Sequence, residues 1–151
     1  MHFGAKNGNF KICNFIIEKA KESVLKRTAT KEEMMQLMNL RNTRGFTPLL
    51  SVAFRGYHVI GKKDRAIENR HRIIKALLAA GAKADKTRKQ TNMTAMHWLA
   101  HNNDPDAIKV LLNSEQADHL IFSHDNNLPI DIAGTTPSLE SVDVFLEHYA
   151  D

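Results

Sequence analysis

The sequence predicts an all-α fold in which pairs of helices stack side by side, joined by β-hairpin-like loops. Three observations lead there. First, one phrase returns along the chain: Gly45-Phe-Thr-Pro-Leu-Leu-Ser-Val-Ala53, Asn92-Met-Thr-Ala-Met-His-Trp-Leu-Ala100 and Asn126-Asn-Leu-Pro-Ile-Asp-Ile-Ala133. Second, an apolar signature follows each phrase: Ile73-Ile-Lys-Ala-Leu-Leu78, Ala107-Ile-Lys-Val-Leu-Leu112 and Ser141-Val-Asp-Val-Phe-Leu146. Third, a partial copy stands at the amino end, His2-Phe-Gly-Ala-Lys-Asn-Gly8 followed by Ile12-Cys-Asn-Phe-Ile-Ile17. Aligned on Gly4, Val52, Leu99 and Ala133, the copies are separated by 48, 47 and 34 residues. Self-similarity at such a period marks a repeat architecture, in which each unit buries its apolar face only against its neighbours.

Each element then has its own justification. The first pair is expected near 2–7 and 10–26. In the first insertion, Thr30-Lys-Glu-Glu33 has the form of a capping box ahead of Met34-Met-Gln-Leu-Met38, which predicts a short extra helix. The second pair is expected near 48–55 and 64–80. Pro48 suits a first helical turn, where its missing N–H costs nothing. The segment 56–63 reads as a loop with Asp64 as N-cap, and Ile67, Ile74 and Leu78 then recur at helical spacing. Gly81 stops that helix where a left-handed residue is favoured. The third pair is expected near 95–101 and 105–113, and the fourth near 129–134 and 138–149, with Pro129 repeating the role of Pro48. Gly45, Asn92 and Asn126 occupy one turn position, and asparagine is the non-glycine residue that best tolerates positive φ. The same exchange at the inter-helix turn gives Gly8, Gly56 and Asn103, with Pro137 as a departure in the fourth copy.

These residues resemble the ankyrin repeat, whose pattern runs Gly-x-Thr-Pro-Leu-His-x-Ala-Ala-x-x-Gly and then Val-Val-x-Leu-Leu-Leu-x-x-Gly-Ala. The match is close at Gly45 to Gly56 and at Ile73 to Ala82. Against a period of about 33 residues, the first two steps carry insertions of roughly 15 and 14. The resemblance implies one array over residues 1–151, an ankyrin-repeat solenoid with repeats near 1–38, 39–84, 85–117 and 118–151. It also implies that His97, at the Thr-Pro-Leu-His position, bonds turn backbone and ties one repeat to the next. His2 matches that position in the first copy; Leu50 and Asp131 replace it elsewhere.

Composition narrows the function classes. Residues 1–92 hold 20 Lys+Arg and 7 Asp+Glu, whereas residues 93–151 hold 1 and 10. One end of the predicted array is basic and the other acidic, and such a field steers association. The basic residues accompany no zinc finger, recognition helix or base-stacking motif, so specific nucleic-acid binding is not expected. Cys13 is the single cysteine, which precludes a disulfide within the chain and suits a reducing, cytoplasmic compartment. No apolar run reaches membrane-spanning length. The histidines are scattered without zinc spacing, and there is no phosphate loop or nucleophile elbow. His101 with Asp104, His119 with Asp118 and His124 with Asp125 read as neighbours in polar turns, so no catalytic residue, metal or other cofactor is expected.

The resemblance implies a protein partner, bound on the concave face that hairpin tips and the first helix of each pair form. Carried over position by position, the tips are 41–44, 86–90 and 123–125, and the variable helix positions include Lys6, Asn7, Ser51, Phe54, Arg55, Trp98 and His101. The expected contacts are Arg41, Arg44, Phe54, Arg55, Lys86, Arg88, Lys89, Trp98 and His101, since aromatic and arginine side chains dominate interface hot spots. Their cationic character suits an acidic segment of that partner. Self-association of basic and acidic ends is a weaker expectation. The alternative function is a regulatory or substrate-presenting segment of a larger enzyme, channel or bacterial effector. Phe10, Phe15, Ile16 and Ile17 at one end, and Val144, Phe145 and Leu146 at the other, look apolar for capping repeats, which suggests a piece of a longer protein or pairing with another chain.

Overall fold

The computed structural model describes residues 1–55 and 63–151, without the side chains of 63–66. These residues form nine helices and no strand, in two compact units, 1–83 and 84–151.

The first unit contains α1 (His2–Lys6), α2 (Phe10–Leu25), α3 (Lys31–Asn39), α4 (Pro48–Phe54) and α5 (Lys63–Ala79). Its helices form two layers: α1 lies against α4, and α2 lies against α5, while α1–α2 and α4–α5 close the pairs. Ala5, Cys13, Ile17, Leu49, Val52, Ile73, Ile74 and Leu77 are buried, as the apolar signatures require. Asn9 starts α2 by accepting the Ile12 N–H at 3.2 Å. Thr47 starts α4 through the Leu50 N–H at 3.2 Å. The predicted extra helix is present as α3, and its capping box is complete: Glu33 N–H donates to Thr30 Oγ1 at 3.1 Å and Thr30 N–H to Glu33 Oε2 at 2.7 Å. Gly56, the loop predicted up to residue 63 and the N-cap side chain predicted at Asp64 fall on residues 56–62 and on side chains that lie outside the described residues.

The second unit contains α6 (Ala95–His101), α7 (Pro105–Asn113), α8 (Pro129–Ala133) and α9 (Glu140–Ala150). The layering repeats, with α6 on α8, α7 on α9, and α6–α7 and α8–α9 as pairs. Met96, Leu99, Ile108, Leu111, Ala133, Val144 and Phe145 fill it. Asp104 starts α7 by accepting the Ala107 N–H at 3.1 Å.

The connecting loops are tight turns closed by backbone hydrogen bonds, Asn42 N–H to the Phe46 carbonyl and Ser123 N–H to the Asn127 carbonyl, each 2.9 Å. The predicted left-handed residues adopt it: φ is 81° at Gly45, 52° at Asn92 and 61° at Asn126. Gly8 and Asn103 do the same at the inter-helix turns, with φ of 63° and 49°.

Candidate functional site

Four of the expected contact residues lie close together in the first unit. The turn after α3 is braced by Asn42, whose Oδ1 accepts the N–H groups of Arg44 and Phe46, both at 3.0 Å. Arg41 Nη1 donates to the Gly45 carbonyl at 2.8 Å, so part of this guanidinium shapes the turn itself. Phe46 folds beneath Phe54 with ring centroids 4.9 Å apart and planes tilted by 49°. Phe46 is 6% exposed and Phe54 is 45% exposed: the inner ring supports and the outer ring is presented. Arg55 Nη1 donates to the Lys6 carbonyl at 2.9 Å and to Asn7 Oδ1 at 2.6 Å, joining the ends of α4 and α1. Arg70 in turn donates to the Arg55 carbonyl. The result is a groove of about 280 Å³ lined by Lys6, Arg44, Phe46, Ser51, Phe54 and Arg55, with Asn42 and Thr43 of the turn.

The other expected residues lie in the second unit. Lys86, Arg88 and Lys89 sit in its first turn, and of these three Lys89 is exposed and the other two are half-buried. That turn is tied to the next one: Asp118 N–H donates to Asp85 Oδ1 at 2.8 Å, His124 N–H to the Thr91 carbonyl at 2.8 Å, and Asn92 Nδ2 to the Phe122 carbonyl at 2.8 Å. Trp98 and His101 share one face of α6, with ring centroids 6.3 Å apart in an edge-on arrangement. Trp98 is half-buried and His101 exposed.

His97, beside Trp98, is completely buried. Its Nδ1 lies 3.1 Å from the Thr94 N–H nitrogen and 2.8 Å from Thr94 Oγ1, and its Nε2 lies 3.1 Å from the Asn127 carbonyl oxygen. Nε2 therefore carries the proton, donating to the carbonyl while Nδ1 accepts. Burial holds the imidazole pKa below its ordinary value, with the backbone carbonyls at Asn127 and Ile121 opposing that shift. One side chain thus starts α6 and grips the turn that leads into α8. A sequence description of ankyrin repeats, three copies, matches residues 64–151, more than half of the chain. The chain belongs to the ankyrin-repeat family. No curated protein matches it.

Ankyrin repeats are non-catalytic modules that generally mediate protein–protein interaction, and three of the side chains weighed for chemistry have structural partners. Asp104 caps α7, Asp118 Oδ1 accepts the Leu120 N–H at 2.8 Å, and His124 Nδ1 faces the Gln90 carbonyl at 3.3 Å. No group of three or more His, Cys, Asp or Glu among the described residues is placed to hold a metal ion. No helix among them is long and apolar enough to cross a membrane. His2, matched to the ankyrin histidine, reaches the Leu40 carbonyl at 2.6 Å, which lies before the turn that a His97-like contact would grip. In the fourth copy Asp131 takes over the capping half of the histidine's role, accepting the Leu128 N–H at 2.8 Å. Sequence reasoning missed Phe46, the ring that supports Phe54. An apolar residue directly after the turn glycine was its signal.

Proposed function

We propose that this chain is a protein-interaction module that binds an acidic segment of a partner protein through the groove of its first unit. The observation carrying this reading is Phe54, backed by Phe46 and left half-exposed in a groove that the cationic side chains Arg44, Arg55 and Lys6 also line. A ring supported from below has already lost its freedom, so little ordering remains to be met on binding. Carboxylates of the partner face Arg44 and Lys6, and an apolar side chain covers Phe54. The turn residues Lys86, Arg88 and Lys89, with Trp98 and His101 on α6, form a second set of contacts in the other unit. The compartment that fits this role is the cytoplasm, consistent with a single, buried, unpaired cysteine.

The test is affinity capture with the wild type and with the Arg44→Glu/Phe54→Ala double variant, both confirmed as folded by circular dichroism. Loss of one and the same prey from the variant supports the reading. Equal recovery of every prey by the two proteins refutes it. Phe54 is expected to contribute about 2 kcal/mol or more as a hot-spot aromatic.

A further inference from the structure

A second groove of about 450 Å³ lies in the first unit, between the end of α2, the inserted helix α3 and the exit of α5. Val24, Leu25, Met34 and Met35 line it, and Lys21 and Lys31 stand at its edge. Leu25 is 84% exposed and Met35 42% exposed, although both sit on helices whose other faces are packed. The groove is preformed. Its α3 wall is started by the Thr30–Glu33 capping box and fastened at its other end by Asn39, whose Oδ1 accepts the Lys83 N–H at 2.7 Å and whose Nδ2 donates to the Gly81 carbonyl at 2.9 Å. Gly81 has φ of 100°, and a Cβ there would come within 2.9 Å of Met35 Cγ. The missing side chain lets Met35 lie down against the backbone.

We propose that this groove docks an amphipathic, acidic helix of a partner protein. Nine residues of α3 offer a wall about 13 Å long, enough for apolar anchors at i, i+3 or i+4, and i+7 of a docked helix. Two adjacent methionines suit that role, because unbranched thioether side chains adapt to what they meet. The sign of the partner follows from charge. The first unit holds 17 Lys+Arg against 6 Asp+Glu; residues 10–39, which carry α2 and α3, hold 6 against 4, with Glu32 and Glu33 following Lys31 in the first turn of α3. Lys21 lies 3.0 Å from Glu18 and shares its charge there. The remaining excess favours an acidic helix over a basic one, and an apolar groove walled by two helices fits a convex helix better than a flat lipid surface. This site is separate from the Phe54 groove, so each stands or falls alone.

Fluorescence anisotropy on the full chain tests it with synthetic amphipathic peptides about 18 residues long. One carries a leucine stripe with glutamates, the second the same stripe with lysines, and the third a scrambled stripe with glutamates. The first is expected to bind, the other two to bind at least about tenfold more weakly. Leu25→Gln/Met35→Gln should weaken the first peptide by about tenfold or more while leaving the circular dichroism unchanged, since both side chains are exposed. Arg44→Glu/Phe54→Ala should leave that binding unaltered. The proposal is overturned if the glutamate peptide fails to bind, if the lysine peptide binds equally, or if the glutamine variant binds as well as wild type. It is equally overturned if the glutamine pair instead abolishes cosedimentation with phosphatidylserine vesicles, or self-association in sedimentation, since the occupant would then be a membrane or a second copy.

Discussion

His97 and Glu115 show how single side chains are held to the backbone geometry of the repeat. His97 bonds three polar groups at once, and its replacement by alanine would leave the Thr94 N–H and the Thr94 hydroxyl facing a buried void, while the Asn127 carbonyl keeps its bond from the Ser123 N–H. A loss of about 3 kcal/mol is expected, measured as a urea midpoint shift. The pH dependence has a definite sign. Burial puts the folded-state pKa below the ordinary 6.5, so as pH falls the unfolded chain takes up the proton first. The His97 contribution is therefore fully present above about pH 7 and is lost as pH drops below 6.5 towards the folded-state value. Subtracting the pH profile of His97→Gln from that of wild type should isolate this slope; identical profiles would disprove it. Glu115 makes the opposite case. It ends α7 with φ of 55°, at the position where the preceding repeat has Gly81 with φ of 100°. A non-glycine residue costs about 1 kcal/mol there, and a carboxylate near a helix carboxyl end adds a smaller unfavourable interaction. Glu115→Gly should raise stability by about 1 kcal/mol, readable as a higher melting temperature.

At the scale of elements, α3 is the part that the repeat pattern does not require, and its attachment is local. Thr30→Ala removes one of the two capping-box bonds and should cost about 1 kcal/mol. Asn39→Ala removes both bonds to the segment leaving α5 and should cost about 2 kcal/mol. Hydrogen exchange would separate these from general destabilisation: protection should fall at 31–39 and remain in α7, whose contacts are untouched. Loss of protection in both helices would mean that α3 is integral to the whole fold. The contrast explains what was legible in the sequence. Helices, caps and left-handed turns are dictated by residues a few positions apart, so Thr30-x-x-Glu33, Thr47-Pro48 and Asn92 announced their geometry directly. The grooves depend on residues far apart in the chain. Phe46 against Phe54, Arg55 against Asn7, and Met35 against Gly81 are tertiary juxtapositions, and only the variable positions inherited from the repeat pattern pointed towards the first of them. The methionine groove had no such guide, because insertions carry no pattern to align.

For the whole molecule, the decisive quantity is the division of charge. Residues 84–151 hold 4 Lys+Arg against 11 Asp+Glu, opposite in sign to the first unit. A nearly balanced total of +4 therefore conceals two strongly charged halves, and an approaching acidic ligand is drawn first to the basic one. Such a field acts mainly on encounter. In the complexes proposed above, the bound state is held by close apolar contact, at Phe54 or at Leu25 and Met35, which salt scarcely weakens. Raising the ionic strength from about 10 mM to about 1 M shortens the screening length from about 30 Å to about 3 Å. The association rate of an acidic peptide should then fall by about tenfold or more, while its dissociation rate changes by less than about threefold. Stopped-flow fluorescence across that salt series reads both rates. An association rate indifferent to salt would show that the charge division does not guide binding, and a dissociation rate that rose in proportion would show that ion pairs, rather than the apolar floor, hold the ligand in place.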